Sequence, residues 1–212
     1  MQAIERVSST SNEIVFLLLL LFFMIFILRV LSYQKLKSEV FALFNISTID
    51  NHNKADEEFT PFQMIFLTFN ILLFTLAFFF LKIEYTPNFE PDIKTFGALL
   101  LVISSYFIVK KIVEIILLYL FNLKQGLQFY TTTKKETFNS LSIFHFVLIV
   151  FYTFQNISFT FYLITLFMLL IYRILIIVLK NNKLIFSKLF YFILYLCALE
   201  IAPLFVLFKM MF

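Results

Sequence analysis

Long apolar stretches separated by short polar segments run along the whole chain of 212 residues. A helix needs about 20 predominantly apolar residues to cross the hydrocarbon core of a bilayer, and six stretches reach or approach this length. They are residues 14–32, 61–81, 95–121, 138–154, 159–179 and 186–208. None of them shows the alternation of apolar and polar residues that is typical of membrane β-barrels. The pattern therefore predicts an all-α, polytopic bundle of about six transmembrane helices, formed by residues 1–212 as one domain.

The longest polar segment, residues 33–60, connects the first two predicted spans. The first half of this segment has the pattern of a short amphipathic helix, with Lys37 and Glu39 on its polar side. The apolar side of that helix is formed by residues at helical spacing: Leu36, Val40, Leu43 and Phe44. We expect this helix to lie on the membrane surface. Acidic residues dominate 51–58, which could ligate a divalent cation, although a solvated loop is the simpler interpretation.

The distribution of lysine and arginine predicts the orientation of the protein in the membrane, because cytoplasmic loops carry an excess of both residues. Most of the 17 basic residues lie in the first, third and fifth loops or in the adjoining halves of the spans. The prediction is therefore N-terminus outside and C-terminus outside, with the loop 33–60 in the cytoplasm.

Composition restricts the chemistry of the protein. Hydrophobic residues make up 62% of the chain and charged residues 14%, with 33 Phe and no Trp, which excludes a water-soluble globule. Two glycines are too few for the known nucleotide-binding loops. One Cys and two His are too few for the common zinc motifs. We therefore expect no metal, no cofactor and no enzymatic activity.

Basic residues inside the predicted spans are the first candidates for a site. Arg29, Lys110 and Arg173 come out at a similar depth, and His145 falls at the same level on a helix running the other way. An ionised group costs about 2.5–3.5 kcal/mol at the centre of a membrane helix. The long side chains either snorkel to the headgroups or converge on an anion such as a lipid phosphate. His145 by itself fits a hydrogen-bonded core residue better than a proton carrier.

Acidic residues inside the predicted spans are the second group. Glu114 lies four residues after Lys110, so the two share a helix face and can pair. Glu200 lies deep in the sixth span, where Pro203 frees the carbonyl of Leu199 from its helical hydrogen bond. Glu200 is either a proton-coupling acid or partner of a basic residue, or it makes a structural hydrogen bond between helices while protonated.

The stretch 189–204 ends in Glu-Ile-Ala-Pro-Leu, and Tyr172-Arg173 precedes a short basic loop. In these features, and in its size and run of spans, the chain resembles domain-of-unknown-function family 4271, a group of small membrane proteins of Bacteroidota. The resemblance implies an inner-membrane location and no established activity.

Together these observations predict a non-enzymatic, multi-pass protein of the bacterial inner (cytoplasmic) membrane that acts as a subunit or assembly partner of a larger cell-envelope complex. The alternative is a carrier or flippase for a lipid-linked anionic substrate such as a polyprenyl phosphate, with Glu200 as the coupling acid. The expected partners are membrane lipids and another membrane protein, with an anionic lipid headgroup in the carrier hypothesis, and no nucleic acid.

Overall fold

The computed structural model describes residues 12–44, 60–86, 93–120, 124–155 and 157–180, and every regular element in these ranges is helical. The helices are α1 (Asn12–Leu31), α2 (Tyr33–Val40), α3 (Pro61–Tyr85), α4 (Ile93–Leu120), α5 (Lys124–Gln155) and α6 (Phe159–Lys180). A 3₁₀ turn, Phe41–Leu43, continues α2, and we refer to residues 33–43 as the α2 segment. The predicted all-α class is confirmed.

Five of these helices, all except α2, are long and apolar enough to cross a membrane. The protein is therefore a membrane protein, while its orientation stays a prediction. The sixth predicted span, 186–208, lies outside the described residues, and so do Glu200, Pro203 and the side chain of Glu114.

Helices α3 and α5 form the centre of the bundle, since half of the spanning part of each is buried. Helix α3 packs against α1, α4 and α5, while α5 packs against the α2 segment, α3, α4 and α6. Phenylalanine supplies much of the contact: the Phe69 ring meets that of Phe146 at 6.1 Å, and the Phe80 ring meets that of Tyr152 at 5.3 Å. Edge-to-face aromatic pairs of this kind add to the energy of apolar packing.

Helix α5 begins at Lys124, well before the start at residue 138 that the sequence predicts. The residues between, which include Lys134 and Lys135, resemble a polar loop in sequence. They are helical because the helix shields their polar groups: Thr133 and Thr137 are buried, and the Thr137 hydroxyl donates to the Thr133 carbonyl at 2.8 Å. The polar segment expected as the third loop thus becomes the first part of α5.

The α2 segment is helical as predicted, but its apolar side contacts protein. Leu36 and Leu43 are buried, and the segment packs against α1 and α5. Glu39, expected on the polar side, accepts a hydrogen bond from Asn139 of α5. Polar groups of α5 thus hold this helix against the bundle, a contact that the sequence does not predict. Its position on the membrane surface stays a prediction.

Candidate functional site

Helix α5 carries most of the buried polar side chains in the described part of the chain. They are Thr133, Lys134, Thr137, Asn139, Ser140, Ser142, His145 and Thr153. A buried polar group needs a hydrogen-bond partner, because leaving it without one is costly in an apolar interior. The hydroxyls of Ser142 and Thr153 bond to the backbone of their own helix. Asn139, Ser140 and His145 instead contact other elements, and these contacts define the candidate site.

A row of three side chains connects the α2 segment, α5 and α3. Asn139 donates from Nδ2 to Oε2 of Glu39 at 3.1 Å, and Asn70 donates from Nδ2 to Oδ1 of Asn139 at 3.0 Å. An ionised carboxylate can only accept hydrogen bonds, so Glu39 fixes the direction of both bonds. Oδ1 of Asn70 is consequently left buried without a partner among the residues that the structure describes. We call Glu39, Asn139 and Asn70 the amide relay.

His145 and Tyr162 form a second buried pair, between α5 and α6. Nε2 of His145 lies 2.8 Å from the hydroxyl of Tyr162, and both side chains are at most 1% exposed. Within the described ranges, Nδ1 of His145 has no hydrogen-bond partner. The ring of Phe74 lies against the imidazole, with the ring centroids 5.8 Å apart. His145 is therefore a buried, hydrogen-bonded residue with one ring nitrogen unused.

The three predicted basic residues occupy different environments. Arg173 is 8% exposed; its Nη2 lies 3.5 Å from the carbonyl oxygen of Lys134, and its guanidinium lies 5.1 Å from the centre of the Phe138 ring. Arg29 is exposed, beside the ring of Tyr33 at 5.8 Å, which agrees with snorkelling. Lys110 is half-buried and lies over the ring of its neighbour on the preceding turn.

His145 does not share a layer with Arg173, contrary to the depth calculated from the sequence. Arg173 lies level with residues 134–138 of α5, whereas His145 lies two to three turns further along that helix, about 10–16 Å away by helical rise. The sequence calculation fails because it takes depth from assumed span ends, and α5 extends far beyond its assumed end.

Side chains from α5 and α6 also hold the end of the α2 segment. The last carbonyl groups of a helix lack partners within the helix. Three of them accept hydrogen bonds here: that of Val40 from Ser140 at 2.7 Å, that of Ala42 from Lys180 at 2.9 Å, and that of Leu43 from Tyr172 at 3.3 Å. Sequence reasoning did not find these contacts, since a single Ser or Lys gives no sign of a distant carbonyl.

The family model of a domain of unknown function, DUF4271, matches residues 14–211. The chain belongs to this family. No curated protein and no solved structure matches it. The match includes the described helices from α1 to α6 almost completely, so the polar contacts above belong to the DUF4271 region itself.

The residues that form the candidate site in the structure differ from those that the sequence predicts. Of the described candidates, Arg173 and His145 lie in the interior, while Arg29 is on the surface. Glu39, Asn70 and Asn139 were missed as site residues. The available signal was weak: one asparagine in each of two aromatic-rich helices, both in apolar surroundings where an amide needs a partner.

Proposed function

We propose that this DUF4271 protein is a non-enzymatic subunit or assembly partner of a larger cell-envelope complex in the inner membrane of a member of Bacteroidota. The supporting observation is the outer surface of α4. Only 17% of its spanning part is buried, the lowest share among the five candidate spans, yet its mean hydropathy is lower than that of α1, α3 and α6.

Low burial together with lower hydropathy is unfavourable for a helix in contact with lipid, because polar groups are costly to place in the hydrocarbon core. In a bundle surrounded only by lipid, the least buried helix should be among the most apolar, as α1 is. Helix α4 does not follow this relation. Its outer surface is better suited to contact with another protein than to contact with acyl chains.

The exposed residues of α4 have the pattern of a helix-packing surface. Ala98, Leu101, Ser105, Ile108 and Ile112 are exposed and follow one another at steps of three and four residues. This is the spacing at which two helices interlock. The small residues Ala98 and Ser105 would allow close approach of a partner backbone. The Ser105 hydroxyl is already bonded to the Val102 carbonyl at 2.7 Å, so it can be covered without an unsatisfied donor. We call these five residues the α4 seam.

Bulky substitutions in the α4 seam test the proposal. We expect Ser105→Phe to remove the partner that co-purifies with the tagged wild-type protein from native membranes in mild detergent. The matched control is Leu19→Phe on α1, at a position 63% exposed, which should retain the partner. Recovery of the wild-type protein without any stable partner would contradict the proposal, and so would equal recovery of a partner with both variants.

A carrier of a lipid-linked anion is the second candidate, favoured by one observation. Arg173 and Lys134 are 8% and 7% exposed, and Nη2 of Arg173 lies 3.5 Å from the backbone carbonyl oxygen of Lys134 where α5 meets α6. Two buried basic side chains on neighbouring helices would suit the binding of a phosphate. A polyprenyl phosphate would place its headgroup there. Its predicted coupling acid, Glu200, lies outside the described residues.

Lipid binding separates the two candidates. Arg173→Gln should reduce retention of a polyprenyl phosphate, measured by native mass spectrometry, while Arg29→Gln at an exposed position should not. Equal retention by both variants would reject the carrier hypothesis and leave the assembly proposal untouched.

A further inference from the structure

A second polar row reaches His145 from the end of the bundle opposite the amide relay. The ring of Tyr162 lies 5.2 Å from that of Tyr152, and the ring of Tyr152 lies 5.3 Å from that of Phe80, which Glu84 follows by one helical turn. Glu84 is exposed near the end of α3, about 21 Å from Asn70 by helical rise. We call Glu84, Tyr152, Tyr162 and His145 the tyrosine chain. The amide relay and the tyrosine chain thus enter the bundle from opposite ends.

Each row stops at a buried polar atom that the described residues leave unpartnered. The amide relay stops at Oδ1 of Asn70, and the tyrosine chain stops at Nδ1 of His145. Asn70 is 5% exposed and His145 is fully buried. Buried polar atoms rarely lack a hydrogen bond in proteins, and those that no protein group reaches commonly bind an ordered water molecule. Both inner ends are therefore places where a water molecule would be bound well.

Phe74 lies where the two rows approach each other. It follows Asn70 by four residues, so the two share a face of α3, and its ring is 5.8 Å from the His145 imidazole. The ring is held in place by Phe138, which stacks on it at 5.4 Å, and by Phe107 at 6.0 Å. A ring packed in this way puts an apolar surface beside both inner ends, and an apolar surface offers water no hydrogen-bond partner.

We propose that the amide relay and the tyrosine chain are the two halves of a proton path through the bundle, and that the Phe74 ring closes this path. An apolar constriction that keeps water out is an established way to gate a pore. Rows of acidic and histidine side chains inside membranes often carry protons, and a tyrosine hydroxyl can both accept and donate one. The structure supplies a row of polar groups from each end and an aromatic ring beside their inner ends.

The transfer balances at every group. Glu39 takes a proton from water at its end of the bundle and releases it inward to water bound at Oδ1 of Asn70, while the two amides only orient the carboxyl group and this water. His145 accepts a proton at Nδ1 and gives one from Nε2 to the Tyr162 oxygen. Tyr162 gives its own proton to the Tyr152 oxygen, and Tyr152 gives its proton to Glu84. The imidazole returns to its first tautomer by ring rotation before the next transfer. Glu84 releases a proton to water, so one proton crosses and no group keeps a charge.

Proton flux into liposomes tests the proposal. The purified full chain is reconstituted with a pH-sensitive dye inside, and a potassium diffusion potential drives protons. Phe74→Ala should raise the flux over the wild type by roughly an order of magnitude or more, which corresponds to a barrier lowered by about 1.4 kcal/mol per factor of ten. His145→Leu added to Phe74→Ala should return the flux to the wild-type value.

Phe79→Ala is the matched control, because Phe79 is a buried phenylalanine of the same helix whose ring packs on Phe96 of α4. It should leave the flux unchanged. Phe74→Leu removes less volume and should give a smaller rise, which keeps the test valid if the alanine variant folds poorly. The proposal is wrong if neither Phe74 variant raises the flux, if the control raises it equally, or if His145→Leu has no effect on it. The assay contains no partner protein, so its result is independent of the assembly proposal.

Discussion

Truncation of Asn139 would test whether the amide relay holds the bundle together. The Asn139→Ala variant loses the hydrogen bond to Glu39 and the one from Asn70. It also leaves the amide of Asn70 buried without its partner. We therefore expect a lower free energy of unfolding, with the loss shared among the three elements that the relay connects, which are the α2 segment, α3 and α5.

The size of the loss follows from the two bonds. A neutral hydrogen bond contributes about 1 kcal/mol and one to a charged group about 1.5–3 kcal/mol in soluble proteins. Hydrogen bonds between membrane helices average about 0.6 kcal/mol with a maximum near 1.7. For two bonds, one of them to a carboxylate, we expect the free energy of unfolding to fall by about 2 kcal/mol, a value between those of soluble proteins and of membrane helices. Asn70→Ala should cost about 1 kcal/mol less when Asn139 is already alanine, since the bond between them is then absent.

Unfolding in mixed micelles with a rising fraction of denaturing detergent provides the assay. Tyrosine fluorescence can report it without interference, because the chain contains 10 Tyr and no Trp. Thr68→Ala is the control: Thr68 is exposed, and its hydroxyl bonds to the Ile65 carbonyl of its own helix at 2.8 Å. A loss for Asn139→Ala no larger than for Thr68→Ala, or full additivity with Asn70→Ala, would refute the reasoning.

Three further predictions concern other contacts. Tyr162→Phe leaves both imidazole nitrogens of the buried histidine without a partner among the described residues, so it should lower the free energy of unfolding by about 1–3 kcal/mol; an unchanged detergent midpoint would contradict this. Lys180→Met removes the donor to the Ala42 carbonyl and should speed tryptic cleavage at Lys37, whereas equal cleavage rates would show that the bond does not hold the α2 segment. Cysteines at Lys37 and Glu84, both exposed, should react with an impermeant maleimide from opposite sides of the membrane in a background without Cys197; reaction from the same side would reject the predicted orientation.

The helices were largely predictable because their main determinant is local. A run of about 20 apolar residues has few alternatives to a membrane-crossing helix, and α3 begins at Pro61, a residue well suited to a first helical turn. The start of α5 was not predictable in this way. Its residues 131–137 are polar, and their place in the bundle depends both on hydrogen bonds within α5 and on contacts with α6 such as that from Arg173.

The polar contacts depend on which residues meet across long distances in the chain. Asn139 contacts Glu39 and Asn70, which precede it by 100 and 69 positions. No periodicity of α5 alone predicts these partners. The sequence did indicate that an ionisable residue inside a span needs a polar environment, and the burial of Arg173 follows this rule. It could not distinguish Arg173 from Arg29, because their difference in exposure is decided by the neighbouring helices.

The polarity of α5 is explained by its position. Read alone, α5 is the least hydropathic of the five candidate spans and α1 the most, which suggests that α5 is the weakest membrane helix. The structure shows instead that α5 is central to the bundle. It packs against the α2 segment, α3, α4 and α6, so its polar groups face protein. Inside a bundle, an amide or an imidazole can find a partner that lipid cannot offer. Low hydropathy therefore marks α5 as the helix against which α3, α4, α6 and the α2 segment pack. The same argument supports the proposal that a partner protein covers α4, which is less hydropathic than α1, α3 and α6 but little buried.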